Sequence, residues 1–220
     1  MLFRKTVLGA CLFVMLTVGS YVGAEESDFF LKEGIYVGGS LVHNSIGADF
    51  DGDSGYYYPA GNQFSVVPSV DSDIGFGFFI GYRLERWALE LSYQRVEHDT
   101  TNVLTGSQDS DYNVIDLNVK VDVFPQGRFR PYALVGIGAP WLNVDNVRTD
   151  DNGVTWTDST FTGYTVNGGL GFSYYFDQRW FLTAGAMYRW QHFRDLDGLY
   201  MSVDAMGSGM NYALGIAYTF

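Results

Sequence analysis

The last ten residues, Asn211 to Phe220, alternate large apolar and small side chains. Tyr212, Leu214, Ile216, Tyr218 and Phe220 fall on one side, and Ala213, Gly215, Ala217 and Thr219 on the other. A period of two is the mark of a β-strand. The same alternation recurs along the chain. Residues 73–83 set Ile74, Phe76, Phe78, Ile80 and Tyr82 against Gly75, Gly77 and Gly81. Residues 87–96 set Trp87, Leu89, Leu91 and Tyr93 against Ala88, Glu90, Ser92 and Gln94. Residues 112–124 carry the cleanest case, with Ile115, Leu117, Val119, Val121 and Val123 opposing Asp116, Asn118, Lys120 and Asp122. Further runs at 34–43, 130–143, 161–176, 180–193 and 209–220 bring the predicted strands to eight. Each is near the ~9–11 residues that a tilted strand needs to cross hydrocarbon.

A soluble sandwich or barrel would turn its large residues to a core and its charges to water. Here every charged strand face is the smaller-residue face. A charge on a lipid-facing strand position near mid-membrane costs about 2–4 kcal/mol. The large face therefore meets lipid, and the small face lines a narrow interior. The predicted fold is all-β: an eight-stranded antiparallel up-and-down transmembrane β-barrel over residues 25–220. Long polar segments at 44–73, 95–111, 144–160 and 194–208 alternate with short connectors near 84–86, 125–129 and 177–179, as one elaborate rim and one plain rim require. Trp87, Phe124, Phe129, Tyr132, Phe176, Trp180 and Phe220 lie beside the short connectors and predict an interfacial girdle there. Asn152-Gly153 is a two-residue hairpin signal, so the strands on either side should continue as a ribbon beyond the membrane.

Before the first strand, Arg4 and Lys5 precede an apolar run from Val7 to Val18, and Val22-Gly23-Ala24 precedes Glu25. This is the pattern of a secretory signal peptide over residues 1–24. Cys11 lies inside the apolar run rather than after it and does not read as a lipidation site; residues 25–220 hold no cysteine. The whole chain has 13 Lys and Arg against 25 Asp and Glu. Loss of Arg4 and Lys5 leaves 11 basic residues, a balance that excludes nucleic-acid binding. Sixteen of the acidic residues lie in the four long segments, against Arg95, Arg148 and Arg194.

Arg83, Glu90, Asp116, Lys120, Asp122 and Arg189 fall on inward strand positions. Counting from the short connectors, Glu90 and Lys120 reach similar heights on neighbouring strands, and Asp116 and Arg189 similar heights across the lumen. Charges inside a packed barrel need partners, so these six are expected to form a structural network. The competing reading makes them a gate in a narrow polar path for ions or small solutes. Asp49, Asp51 and Asp53 echo the opening of a calcium loop, but Ser54 and Ala60 occupy the places that need Gly and Glu. No specific metal or cofactor site follows. Diffuse divalent-cation binding by the acidic rim is the milder expectation. Tyr56, Tyr57, Tyr58, Phe64 and Trp156 add recognition-type aromatics to the long segments.

The chain resembles the small outer-membrane barrels related to the OmpA transmembrane domain and the broad porin-like barrel domain family. The resemblance rests on Gly34-Ile-Tyr-Val-Gly-Gly-Ser-Leu41, Trp87-Ala-Leu-Glu-Leu-Ser-Tyr93, Arg130-Pro-Tyr-Ala-Leu-Val-Gly-Ile-Gly138 and Tyr218-Thr-Phe220. It implies a Gram-negative type of outer-membrane location with both ends of the mature chain in the periplasm. It also implies delivery by periplasmic chaperones to the barrel-assembly machinery, which reads Tyr212, Leu214, Ile216, Tyr218 and Phe220 as an insertion signal. Lipid and lipopolysaccharide would surround the wall, and a host or cell-surface partner would meet the loops. Family members include adhesins, structural barrels and narrow pores, so activity is not specified. His43-Asn44-Ser45 faintly resembles the His-x-Ser of outer-membrane lipid A deacylases, where Ser is the nucleophile. The surrounding pattern is missing, and the expectation is a barrel that is not an enzyme.

Overall fold

The computed structural model describes residues 33–47, 69–70, 73–102, 106–149, 156–195 and 204–220. They form β1 (Gly34–Gly47), β2 (Ser69–Val70), β3 (Asp73–Arg83), β4 (Trp87–Asn102), β5 (Gly106–Asp122), β6 (Phe129–Thr149), β7 (Trp156–Tyr175), β8 (Trp180–Asp195) and β9 (Asp204–Thr219). The long strands pair antiparallel in the order β4-β3-β1-β9-β8-β7-β6-β5, and β4 pairs β5 to close the ring. The two-residue β2 adds Ser69 and Val70 beside Thr101 and Thr100 of β4. The barrel thus has eight strands, and closure leaves no long open edge. The predicted signal peptide, Asp49 to Asp53, Tyr56 to Tyr58, Phe64 and Asn152-Gly153 lie outside the described residues.

Lipid dictates which face turns out. Ile74, Phe76, Phe78, Ile80 and Tyr82 of β3, Leu89 and Leu91 of β4, and Val135 and Ile137 of β6 are all exposed on the outer surface. Asp116, Asn118 and Asp122 alternate with the outward residues of β5 and are buried inside. At the plain rim, β3 and β4 are joined through Leu84, whose N–H bonds the Trp87 carbonyl at 2.7 Å. Gly127, in the turn between β5 and β6, has φ of +81°, a conformation that a side chain would strain.

Three expectations need correction. First, β4 and β5 stay paired up to Asn102 opposite Gly106, and β6 and β7 up to Thr149 opposite Trp156. Segment 95–111, expected as a loop, is therefore largely ribbon, while over 144–160 β6 and β7 continue as the ribbon that Asn152-Gly153 predicts, that turn itself lying outside the described residues. In the described part of β4 and β5 polar residues stand on both faces, with Glu97, Asp99 and Asp111 outward and His98 and Ser110 inward, and this erases the alternation there. The β6–β7 register shifts between Val144 and Arg148, where one strand fits in extra residues. Second, Tyr132 leaves the girdle: it is only 5 % exposed and faces inward with Leu134 and Met187. Third, the interior is not lined by small residues alone. Tyr36, Phe79, Tyr112, Tyr175 and Phe181 are buried there too. Glycines on adjacent strands seat the rings. A Cβ on Gly81 would strike the Tyr36 ring, and one on Gly171 would strike Tyr132.

Candidate functional site: the lumenal charge network

The network begins where the short turns fix strand ends side by side. Arg83 ends β3, Asp122 ends β5 and Arg130 is the second residue of β6. Arg83 Nη1 donates to Asp122 Oδ2 at 2.8 Å, and Arg130 Nη1 lies 3.6 Å from the same oxygen. Arg130 Nε donates to the Gly127 carbonyl at 3.1 Å, tying the site to its turn. The Arg83 guanidinium also lies 5.8, 5.5 and 5.7 Å from the ring centres of Tyr36, Tyr175 and Phe181. Cation–π attraction is strongest where water is excluded, as it is here.

One layer further in, Lys120 Nζ donates to Glu90 Oε2 at 2.6 Å. The Tyr36 hydroxyl donates to that oxygen at 2.9 Å. Lys120 is registered opposite Ala88, and Glu90 opposite Asn118, so the pair is a diagonal cross-strand contact. Lys120 also sits over the rings of Tyr132 and Phe79. Beside it is a cavity of about 60 Å³ lined by Glu90, Gln94, Asn118, Lys120, Thr183 and Asn211 among others, room for a few waters.

The next layer is the most tightly bound. Arg189 Nη2 meets Asp116 Oδ2 at 2.5 Å. Asn167 Nδ2 and Thr165 Oγ1 donate to Asp116 Oδ1 at 2.8 and 3.3 Å. Arg189 also reaches Gln94 Oε1 and the Tyr112 hydroxyl, each at 3.4 Å, and Asn167 Oδ1 at 3.3 Å. Asn211 Nδ2 donates to Gln94 Oε1 at 3.0 Å. Side chains from β4, β5, β7, β8 and β9 are thereby joined through one ion pair, and Asp116 has no exposure. Toward the long-loop end the buried interior mixes apolar Val42, Val96, Val114, Leu142, Phe161 and Phe193 with polar Asn44, His98, Ser110 and Gln191.

All six sequence-predicted charges face inward. The expected contacts Glu90 with Lys120 and Asp116 with Arg189 are present; Arg83 with Asp122 was not foreseen as a pair. Arg130 was missed as a lumenal charge, although it shares its phase with inward Tyr132 and Leu134. Counting it, the described lumen holds four cations, Arg83, Lys120, Arg130 and Arg189, against the carboxylates of Glu90, Asp116 and Asp122.

Other candidates lie apart. His43 is on the outer face of β1, its ring stacked on Tyr212 with centres 6.1 Å apart. Ser45 follows it on the same face, and Asp49 is outside the described residues. His98 is buried near the long-loop end, edge-on to Tyr112 at 6.2 Å. Among the described residues no group of His, Cys, Asp or Glu is arranged to hold a metal ion. Tyr212, Leu214, Ile216 and Phe220 point outward and are exposed. Tyr218 packs edge-on between Trp180 and Phe220, at 5.0 and 5.2 Å. The Phe220 N–H bonds the Ile35 carbonyl at 2.9 Å, fastening the last residue to β1.

Paired charges fill this interior as a core would, inside a closed wall that is apolar on its outer face, and that construction defines an integral outer-membrane β-barrel. The chain belongs to the outer membrane protein beta-barrel domain family, which matches residues 8–220. Its fold is similar to that of Neisserial surface protein A (18 % identity, TM-score 0.55, covering 85 % of this chain and 97 % of that one). It is also similar to OprG from Pseudomonas aeruginosa (16 %, TM-score 0.54, covering 89 % and 99 %). A major outer membrane protein from Thermus thermophilus follows (10 %, TM-score 0.50, covering 84 % and 99 %). No curated protein matches the chain in sequence.

Proposed function

We propose that the mature protein is a non-enzymatic barrel whose strands anchor it and whose acidic long-loop end contacts something outside the cell. The observation that carries this reading is the length of the strands. β6 runs for 21 residues and β7 for 20, about twice what a hydrocarbon crossing requires. Strand that lipid does not need serves the medium beyond it. The lumen supports the same reading, because three charge layers and the buried side chains beyond them occupy most of it, leaving a cavity of about 60 Å³ beside Lys120. In this proposal residues 1–24 are removed on export, the termini and short turns face the periplasm, and the outward row of Tyr212, Leu214, Ile216, Tyr218 and Phe220 guides assembly.

Orientation is tested with single cysteines, since residues 25–220 contain none. An impermeant thiol reagent on whole cells is expected to label Asp109→Cys and to spare Gln126→Cys. The reverse pattern would invert the proposal. Role is tested by trimming the β4–β5 and β6–β7 ribbons to short turns. Cells carrying the trimmed barrel should lose adhesion, serum survival or phage sensitivity while solute uptake stays unchanged. The second reading, a narrow pore, draws on the cavity beside Lys120 and Glu90. It predicts the opposite: unchanged surface phenotypes, with uptake that responds to Lys120→Met. A change in lipid A acylation abolished by His43→Ala would replace both readings with an enzyme.

A further inference from the structure

The lumenal charges do not balance layer by layer. Lys120 meets Glu90 and Arg189 meets Asp116, one cation to one carboxylate in each case. At the plain rim, by contrast, Arg83 and Arg130 share Asp122, and among the described residues neither has a second carboxylate. Both arginines are only 3 % exposed, so the surplus positive charge lies where water screens it poorly. A buried charge that lacks a counter-charge is costly.

The two arginines are not equally compensated. Arg83 has its 2.8 Å bond to Asp122 and three aromatic rings around it, yet its Nε is buried with no hydrogen-bond partner. Arg130 spends Nε on the Gly127 carbonyl and has one ring, that of Tyr175, at 5.7 Å. Its Nη1 stops 3.6 Å from Asp122, beyond hydrogen-bond length. Among the described residues its terminal nitrogens therefore have no acceptor at bonding distance. Ser173, buried and registered opposite Arg130, brings a hydroxyl to the same level. Arg128, half-buried on the same turn, adds positive potential outside the mouth and draws anions toward it. A guanidinium presents its donors as a rigid planar fork, which matches the two oxygens of a carboxylate or phosphate. Chloride would answer the charge but not the fork. Arg130 also faces the interior and not the lipid-covered wall, so the matching group is that of a dissolved ion and not of a surrounding headgroup.

We propose that the plain-rim end of the lumen is an oxyanion site, at which Arg130, backed by Arg83, takes a dissolved phosphate or carboxylate ion entering from the short-turn side. Isotope-labelled barrel, purified in a maltoside detergent, would be titrated with sodium phosphate, sodium acetate or phosphatidylglycerol. Sodium chloride would hold the ionic strength constant while the arginine Nε–H signals are followed by NMR. The Arg130 and Arg83 signals are expected to move saturably with phosphate and acetate, while that of Arg189 stays in place. Arg130→Gln should weaken the response read at Arg83 about tenfold, the worth of one charge-assisted hydrogen bond. Arg95→Gln, at the opposite rim, should leave it unchanged, and heat-modifiable migration would verify that each variant is folded. Should Arg130→Gln not fold, the wild-type signals decide by themselves. The proposal is overturned by the absence of saturable movement, by equal movement of Arg189, or by an undiminished response in folded Arg130→Gln. Movement with phosphatidylglycerol alone would also overturn it, since the occupant would then be a lipid.

Discussion

Arg189→Met is expected to lower the stability of the barrel by about 3–5 kcal/mol, the cost of leaving a buried charge without its partner. Asp116, with no exposure, would keep only its bonds from Asn167 and Thr165. Gln94 and the Tyr112 hydroxyl would each lose a donor as well. The measurement is the urea midpoint of the folded-to-unfolded shift in electrophoretic mobility, with the barrel in lipid vesicles. Adding Asp116→Leu to Arg189→Met should recover most of the loss, because removing both charges also removes their desolvation cost. The resulting double-mutant cycle reads the coupling directly. Wild-type stability in the single variant would mean that water reaches Asp116, contrary to a packed lumen. Arg83→Met should cost less, since Arg130 remains 3.6 Å from Asp122.

Gly81→Ala is expected to cost about 1–3 kcal/mol, the usual range for an overpacked interior. The added Cβ would meet the Tyr36 ring and hydroxyl, and Tyr36 cannot yield without releasing its 2.9 Å bond to Glu90. Glu90 would then rely on Lys120 alone. Because the clash is with one side chain, Tyr36→Leu should rescue Gly81→Ala, leaving the double variant close to Tyr36→Leu by itself. The check is the same urea midpoint for all four members of the cycle. Additive losses would show that Gly81 is needed for some reason other than the ring it seats.

Strand phase was legible residue by residue. From Ile115 to Val123 each large side chain turned out and each polar one in, because lipid on one side and a closed interior on the other impose a period of two on every crossing strand. The same pressure placed Arg83, Glu90, Asp116, Lys120, Asp122 and Arg189 inside. Arg130 and Tyr132 share that inward phase, but each also stands beside a short turn. There a girdle residue and a lumenal one look alike in sequence. The ribbon past Tyr93 left no alternation to read, since polar residues stand on both of its faces, Glu97 and Asp99 outward and His98 inward; past Trp141 Asn152-Gly153 was the signal.

The membrane-barrel class was therefore legible in the sequence alone, through a local rule that each strand obeys independently, while the family rested on the resemblance of particular motifs such as Arg130 to Gly138. Counting from the short connectors matched Glu90 with Lys120 and Asp116 with Arg189, but only closure of the ring showed the other charge contacts and brought every pair to bonding distance. Asp122 meets Arg83 from two strands away and Arg130 from the next strand. Arg189 meets Asp116 across the lumen, and glycines on neighbouring strands give the rings of Tyr36 and Tyr132 their seats. Such contacts depend on how far each strand is staggered against its neighbour, and stagger is a property of the closed sheet, set when all eight strands satisfy their hydrogen bonds together.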